Sequence, residues 1–247
     1  MSQMNPEHQS QAQPAWMALE ETGVQSFSYP DDPRVRLHSL LGDAPRKILD
    51  IGCGSGAVGL GMKQAFAQVE VWGCELDERA AQMAQTRLDR VITVPLRAWS
   101  EQDRAHLRTF DTVLLFDVLE HMYHPWAEMQ FLAQHLNADA QVIVSLPNVG
   151  HHAVLNTLLN GDWPYASAGI LDVTHIRFFT EKTMLELFAQ TGFQVMEKQY
   201  LIYQPVQTIE SFPVQVNFGS WQLEVRDEAH WFALNSIQLG FRLKKSS

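Results

Sequence analysis

The chain has 247 residues, of which 46% are hydrophobic, and its formal net charge at neutral pH is −10. This size and composition suit one α/β domain with a single substantial core. The acidic balance disfavours long nucleic acids as partners, because their binding depends heavily on Lys and Arg. No apolar stretch approaches the roughly 18 residues of a membrane span, and the polar N-terminus does not resemble a signal peptide. We therefore expect a cytoplasmic protein whose two cysteines stay reduced.

The composition of the first residues differs from the rest of the chain. Residues 1–14 are rich in Gln, Ser and Pro, which predicts a disordered tail, and 15–247 are expected to form the single domain. Two stretches interrupt the regular pattern of this domain, at about 147–179 and 204–229. Long connections at the carboxyl edge of a parallel sheet commonly build substrate pockets, so we expect both stretches on the substrate side.

After the tail, apolar runs without alternation predict the strands of a parallel sheet covered on both faces. In chain order they are KILDI, VEVWGCE, RVITVPL, FDTVLLFD and AQVIVSLP, followed by two closing strands, FQVMEKQYLIY and HWFALNSIQLGFRLKK. Between them, Asp77 and Thr180 are placed to cap helices, and Gly192 is placed to end one. The pattern therefore predicts a doubly covered α/β sheet.

The segment ILDIGCGSGAVGL indicates a ligand site at the first strand. Asp50 ends the strand, and Gly52, Gly54 and Gly56 follow before a helix of small residues. Glycine lets a ligand lie against the backbone, and a helix N-terminus leaves N–H groups unpaired. The second run ends in Glu75, which is placed to accept hydrogen bonds from a ribose diol. Together these features predict a nucleoside site at the strand ends.

Two nucleoside classes fit this pattern. Gly54 to Gly59 matches G-x-G-x-x-G with an acid about 20 residues further on, as in dinucleotide-binding oxidoreductases that use NAD. Asp50, however, would repel a pyrophosphate and attract a ligand's ammonium group. No Tyr-x-x-x-Lys pair occurs in the chain. The acid followed by glycines resembles motif I of the class I S-adenosylmethionine (SAM) methyltransferases.

The resemblance extends beyond that motif. The segments FDTVLLFDVLEHMYHPW, IVSLPNVGHHAVL, NGDWPY and ILDVTHIRFFT occur in the order typical of ubiquinone-biosynthesis O-methyltransferases and saccharide-associated methyltransferases. The resemblance implies SAM as cofactor, S-adenosylhomocysteine (SAH) as product and a small-molecule methyl acceptor. It also implies a Rossmann-like seven-stranded sheet of order 3-2-1-4-5-7-6, with strand 7 antiparallel and helices on both faces.

The same resemblance assigns roles to residues of the cofactor site. Asp50 and Asp117 would lie near the amino acid moiety of SAM, Glu75 would hold the ribose, and Leu76 would pack beside the adenine. The loop that follows the backbone of the cofactor would consist of Gly52, Cys53, Gly54 and Gly56. One departure is the segment VPLRAW, which lacks the acid that relatives place after strand three to meet the adenine amino group. Backbone groups or stacking on Trp99 are the alternatives.

The chemistry of methyl transfer points to a second set of residues. A hydroxyl acceptor needs a base, and His121 and Glu120, just past strand four, are the first candidates, with His175 next. Local hydrogen bonding in a cap or loop is the alternative role for both histidines. The predicted function is methyl transfer to an oxygen of a saccharide, phenolic or quinone-like acceptor. A SAM-binding protein without turnover is the alternative.

A metal site is a further hypothesis for these residues. Asp117, Glu120 and His121 have i, i+3, i+4 spacing, and with His175 they form a set suited to a divalent ion. Plain hydrogen bonding is favoured over a metal for such a set. Arg177 is expected either to bind an anionic group or to pair with Asp172.

Overall fold

A computed structural model describes residues 31–219 and 221–246 of the chain. The predicted tail at 1–14 and the first residues of the predicted domain lie outside these ranges. The described part begins at a short 3₁₀ helix, Val35–Leu40, which leads into the first strand. Within the described residues, no helix is long and apolar enough to cross a membrane.

Among the described residues, seven strands form one sheet. They are β1 Lys47–Ile51, β2 Glu70–Cys74, β3 Arg90–Ile92, β4 Thr112–Phe116, β5 Gln141–Pro147, β6 Phe193–Leu201 and β9 Gln238–Lys245, with β7 and β8 in a separate hairpin between β6 and β9. The order in the sheet is β3-β2-β1-β4-β5-β9-β6. The strand β9 runs antiparallel to both of its neighbours, and the other pairs are parallel. The predicted order is therefore confirmed, with β9 as the predicted seventh strand.

Helices cover both faces of this sheet. In chain order they are α1 Ala57–Ala65, α2 Glu78–Ala84, α3 Glu101–Ala105, α4 Pro125–His135, α5 His152–Leu159, α6 Glu181–Gln190 and α7 Glu228–Asn235. The predicted caps are present: Asp77 accepts the Ala80 N–H at the start of α2, and Thr180 forms a capping box on α6. Gly192 follows α6 with φ of 87°, as expected for a residue that ends a helix.

The core consists of two layers, one on each face of the sheet. Neighbouring residues of one strand alternate between them, so that Leu49 and Ile48 belong to different layers. The helix α4 buries Met129 and Leu132 in the first layer, and α1 buries Met62 in the second. Burial on both faces explains why the strands read as continuous apolar runs.

The second interrupting stretch holds a small unit of its own. Two strands, β7 Val214–Phe218 and β8 Trp221–Val225, pair antiparallel. The segment predicted as the start of the last strand is instead helix α7, capped by Asp227, whose side chain accepts the His230 N–H. That part of the prediction was wrong because the helix buries Trp231 and Leu234 in a third hydrophobic cluster with the hairpin. A run of consecutive apolar residues does not distinguish helix from strand.

Candidate functional site

A cavity of about 770 Å³ opens where the carboxyl ends of β1, β2 and β4 meet. Its walls come from those strand ends, the turn after β3, the turn after β4, helix α4 and Thr174. Ligands of open α/β sheets bind at this edge. Of the predicted site residues, the cavity wall includes Gly52, Glu75, Leu76, Asp117 and His121.

The glycine loop after β1 is fixed to β2 by its own backbone. Gly52 and Cys53 both donate their N–H groups to the Cys74 carbonyl, at 2.7 and 3.2 Å. Gly52 has φ of 69°, and a Cβ there would lie 2.4 Å from the nearest Val118 methyl carbon. A side chain at this position would therefore clash with Val118 and strain the backbone, so the turn requires glycine. The end of β2 thus already accepts the N–H groups of Gly52 and Cys53.

Glu75 joins this loop to the second strand end. Its Oε2 atom accepts the Gly54 N–H at 2.8 Å, and Oε1 accepts the N–H groups of Leu76 and Asp77 at 2.7 and 2.9 Å. A carboxylate offers about four acceptor positions, so about one remains for a ligand. Beside it, the Leu76 side chain is 58% exposed on the cavity wall and presents an apolar surface.

Four predicted residues of the cofactor site do not line the cavity: Asp50, Cys53, Gly54 and Gly56. A Cβ on Gly73 would be 2.5 Å from the Cys53 sulfur, so the thiol packs against β2 rather than facing a ligand. Burial raises the pKa of the Cys53 thiol, which keeps it protonated. A Cβ on Gly56 would be 3.1 Å from the Ala84 Cα, so this glycine also serves the packing of α1 on α2.

Asp50, in strand β1, is another of the predicted residues that do not line the cavity. It is 2% exposed, and its Oδ2 atom has no hydrogen-bond partner among the described residues. Burial raises the pKa of its carboxyl group to about 7, and the charge of Glu75 adds to the rise. A carboxylate so far from water favours a nearby positive charge. A positive charge on a bound ligand would stabilise the ionised form of Asp50.

Asp117 lies at the end of β4 and is already bound by several groups. Its backbone adopts φ of 55°. Its Oδ1 atom accepts hydrogen bonds from the Ser145 hydroxyl at 3.1 Å and from the Gln238 amide. Its Oδ2 atom forms an ion pair with the Nη2 atom of Arg34 at 2.6 Å, and Arg34 belongs to the segment before β1. The sequence analysis missed Arg34, because no local motif marks a contact between segments so far apart.

The predicted catalytic residues form one cluster. Glu120 and His121 lie in the 3₁₀ turn Leu119–His121, and His175 comes from the loop before α6. The Glu120 carbonyl accepts the N–H groups of Ile176 and Arg177, both at 3.0 Å, which joins the two segments. The ligand atoms of Glu120, His121 and His175 all lie within 4.8 Å of one another.

Hydrogen bonds set the tautomers of the two histidines. The Nδ1 atom of His121 is 3.2 Å from the Thr174 carbonyl oxygen, and that of His175 is 3.1 Å from the Ile170 carbonyl oxygen. A carbonyl only accepts, so each Nδ1 donates and each neutral ring carries its lone pair on Nε2. Burial lowers the pKa of His121, and His175 lowers it further, which keeps this ring neutral.

Glu120 contributes a buried carboxyl group without a partner. Both of its oxygens are unpaired among the described residues, although the His175 Nε2 atom is 3.9 Å from Oε1. Burial raises the pKa of Glu120, and the charge of Asp117 adds to the rise. Two imidazoles whose Nδ1 atoms are anchored on carbonyls, beside an unpaired carboxyl group, match the environment of many metal ligands. The cluster therefore fits a divalent ion.

The structure corrects three other predictions. Asp117 does not join the metal-type cluster of the described residues, because it is paired with Arg34. Trp99 is 1% exposed in the core and cannot stack on a ligand. Arg177 donates to the Tyr123 and Ile176 carbonyls, at 2.5 and 3.0 Å, so it neither faces an anion nor pairs with Asp172.

Comparisons with known proteins agree with this geometry. A methyltransferase domain model matches residues 24–198. The ubiquinone biosynthesis O-methyltransferase of Azoarcus sp. (strain BH72) is 29% identical over 164 residues, which cover 61% of this chain and 69% of that protein. The enzyme of the same name from Aromatoleum aromaticum is 25% identical over 173 residues, covering 69% of this chain and 73% of that protein.

Solved structures share the fold. Magnesium protoporphyrin IX methyltransferase of Synechocystis PCC 6803 with bound SAH aligns with a TM-score of 0.55 and 17% identity, covering 87% of this chain and 82% of that one. A possible histamine N-methyltransferase of Thermotoga maritima aligns with a TM-score of 0.57 and 18% identity, covering 94% of this chain and 93% of that one. The domain match covers most of the chain and the fold agrees with it, so this protein belongs to the methyltransferase domain family and is a class I SAM-dependent methyltransferase.

Proposed function

We propose that the protein transfers the methyl group of SAM to an oxygen atom of a small-molecule acceptor. The observation that carries the proposal is His121 on the cavity wall, with its Nδ1 fixed by Thr174 and its Nε2 free to accept a proton. Glu75 and Asp117 line the same cavity. O-methylation requires a base and cofactor-binding groups in the same cavity.

The cofactor half of the cavity has groups for each part of SAM. The remaining acceptor position of Glu75 would hold the ribose diol, and Leu76 would contact the adenine. The amino acid part carries both an ammonium and a carboxylate group. Asp117 and Arg34, now paired with each other, offer the two complementary charges, and the ionised form of Asp50 adds a second negative charge.

SAM supplies an electrophilic methyl group, so the protein must orient the acceptor and remove its proton. The neutral Nε2 of His121 is the group that would accept the proton from the acceptor hydroxyl. His175 would position this ring and Glu120 would stabilise its protonated form, since their ligand atoms lie within 4.8 Å of it. A buried carboxylate without another partner interacts strongly with a new positive charge.

The same cluster supports a metal-assisted version of this chemistry. Glu120, His121 and His175 would hold a divalent ion, which lowers the pKa of a bound hydroxyl when present. The observation that favours it is the buried Glu120 carboxyl group with both oxygens unpaired. Turnover that is lost on chelation and restored by one divalent ion would support the metal-assisted version. Full turnover after thorough chelation would leave His121 as the base alone.

For the acceptor, the relatives named ubiquinone biosynthesis O-methyltransferases support a phenolic or quinone-like ring. The cavity wall includes Leu115, Met122 and Leu132, which suits a ring, whereas a saccharide would need more polar groups. The test is to incubate the full chain with SAM and a panel of catechols, hydroquinones and sugar nucleotides. We expect SAH formation and one added methyl group on a phenolic acceptor. SAH binding without any methylated product would instead indicate a protein without turnover.

A further inference from the structure

The acids of the cavity wall differ in what they bind. The four are Glu75, Asp77, Asp117 and Glu128. Glu75 accepts three backbone N–H groups, Asp77 caps α2, and Asp117 is bound by Arg34 and two side chains. In the part of the chain that the structure describes, no hydrogen bond or ion pair involves the Glu128 carboxyl group. Its acceptor positions are therefore open to a ligand.

Glu128 lies in the first turn of α4 and faces the end of β2. Burial raises the pKa of the Cys74 thiol to about 12, and the nearby Glu128 charge adds to that rise. Burial also raises the pKa of Glu128, while Arg97 from the turn after β3 acts in the opposite direction. Cys74, Leu96 and Glu128 line the same cavity, and helix α4 contacts the turn Leu96–Ala98, so the half-buried carboxyl group lies between the end of β2 and the turn after β3.

This location is where an adenine would extend. With its ribose on Glu75 and its base beside Leu76, a bound adenosine would extend into the part of the cavity that Leu96 and Glu128 line. The turn Leu96–Ala98 offers no carboxyl group, since Leu96 is buried and Arg97 is a cation. An amino group that loses water without gaining an acceptor is destabilised. The cavity therefore needs an acceptor from another element.

We propose that Glu128 accepts a hydrogen bond from the exocyclic amino group of the cofactor's adenine and so makes the site specific for adenine over other purines. The inference rests on the proposed binding of SAM in this cavity. A carboxyl group on the helix after β4 would thus take the place of the missing acid after β3. The residue acts on the base alone, so its effect should disappear with a base that lacks the amino group.

The test compares two ligands by calorimetry on the full chain. One is SAH, and the other is its 6-deamino analogue, in which a hydrogen atom replaces the amino group and no new donor is introduced. We expect the wild type to prefer SAH by about 10- to 100-fold, as for a charge-assisted hydrogen bond. Glu128→Gln and Glu128→Leu should reduce this preference at least about tenfold, because the carboxylate no longer favours a donor. The matched control Glu101→Gln, in α3 after β3, should leave it unchanged.

The outcomes separate this inference from the proposed function. A preference for SAH that is unaltered in both Glu128 variants overturns the role of Glu128 while SAM binding stands. An equal loss of affinity for both ligands also overturns it, because it would show a general effect on the cavity. Failure of the wild type to bind SAH would instead overturn the proposed function, and the inference with it.

Discussion

The cofactor side of the cavity pairs most of its polar groups within the protein, with Asp50 Oδ2 as an exception, whereas the acceptor side has a carboxyl group with both oxygens unpaired among the described residues. On the cofactor side, the loop after β1 and the end of β2 bind each other, and Glu75 accepts three N–H groups. On the acceptor side, Glu120 has two buried oxygens without a partner among the described residues. Native proteins rarely leave such groups unpaired. The difference indicates a preformed cofactor holder beside a cluster that is completed by a substrate proton or an ion.

The largest expected effect comes from breaking the cofactor side at Gly54, which has φ of 53°. A β-branched residue rarely adopts this conformation, so Gly54→Val should distort the loop and abolish SAH binding in calorimetry. The control is Gly161→Val, since Gly161 has φ of 77° and open space around it. It introduces similar strain away from the site. Gly54→Val that binds SAH as tightly as this control would contradict the assigned role of the loop.

Breaking the acceptor side should affect turnover and leave binding intact. His121→Ala is expected to lower turnover by about 10²–10⁴-fold, the usual contribution of a positioned base. The affinity for SAH should stay within about threefold, because His121 is not assigned to the cofactor. His124→Ala changes the same cavity wall outside the cluster and should keep near wild-type turnover. If both variants lose turnover equally, His121 has no special role.

The ion pair between Arg34 and Asp117 lies where the two sides meet. If Arg34 binds the carboxylate of SAM, Arg34→Ala should lower the affinity for SAH about tenfold in calorimetry, as expected for a hydrogen bond between charged groups. Arg46→Ala is the matched control, because Arg46 also pairs with an aspartate but is 90% exposed. Tighter binding by Arg34→Ala would show the opposite, that Arg34 competes with the cofactor for Asp117.

The smallest expected effect comes from Asp50, and it is a dependence of the affinity for SAH on pH. Its folded-state pKa of about 7 lies above the ordinary value of 3.8, and the ionised form should bind the ammonium group that SAM and SAH share. Affinity for SAH should therefore fall about fourfold as the pH drops from about 8 to about 6.5. Asp50→Asn should remove this dependence. An unchanged pH profile in that variant would assign the titration to another group.

The same group affects the stability of the ligand-free protein, with a defined sign. Between about pH 4 and 7 the folded state holds a proton on Asp50 that the unfolded state has released. The free energy of unfolding should therefore decrease as the pH rises through this interval and level off above it. Asp50→Asn should flatten this part of the curve in urea titrations at several pH values.

Local patterns were sufficient for most of the fold and half of the site. Continuous apolar runs predicted the strands, the side chains of Asp77 and Thr180 predicted caps, and the glycines after Asp50 predicted the loop. Each of these depends on neighbours in sequence. The order of the sheet came from the family resemblance, and the structure confirmed it.

The remaining features depend on contacts between distant segments. The pairing of Arg34 with Asp117 requires the segment before β1 to cross the end of β4, which no spacing reveals. Glu128 faces the cavity only because of how α4 lies against β2 and the turn after β3. The burial of Trp99 likewise depends on tertiary packing, since a tryptophan after a strand suits core and site equally.

The central claim is that the cavity between the ends of β1, β2 and β4 binds SAM and its product SAH rather than a dinucleotide. Calorimetric titration of the full chain with SAH, followed by the same titration with NAD, tests it most directly. The account predicts saturable binding of one SAH molecule per chain and no binding of NAD. Binding of NAD without binding of SAH would contradict it.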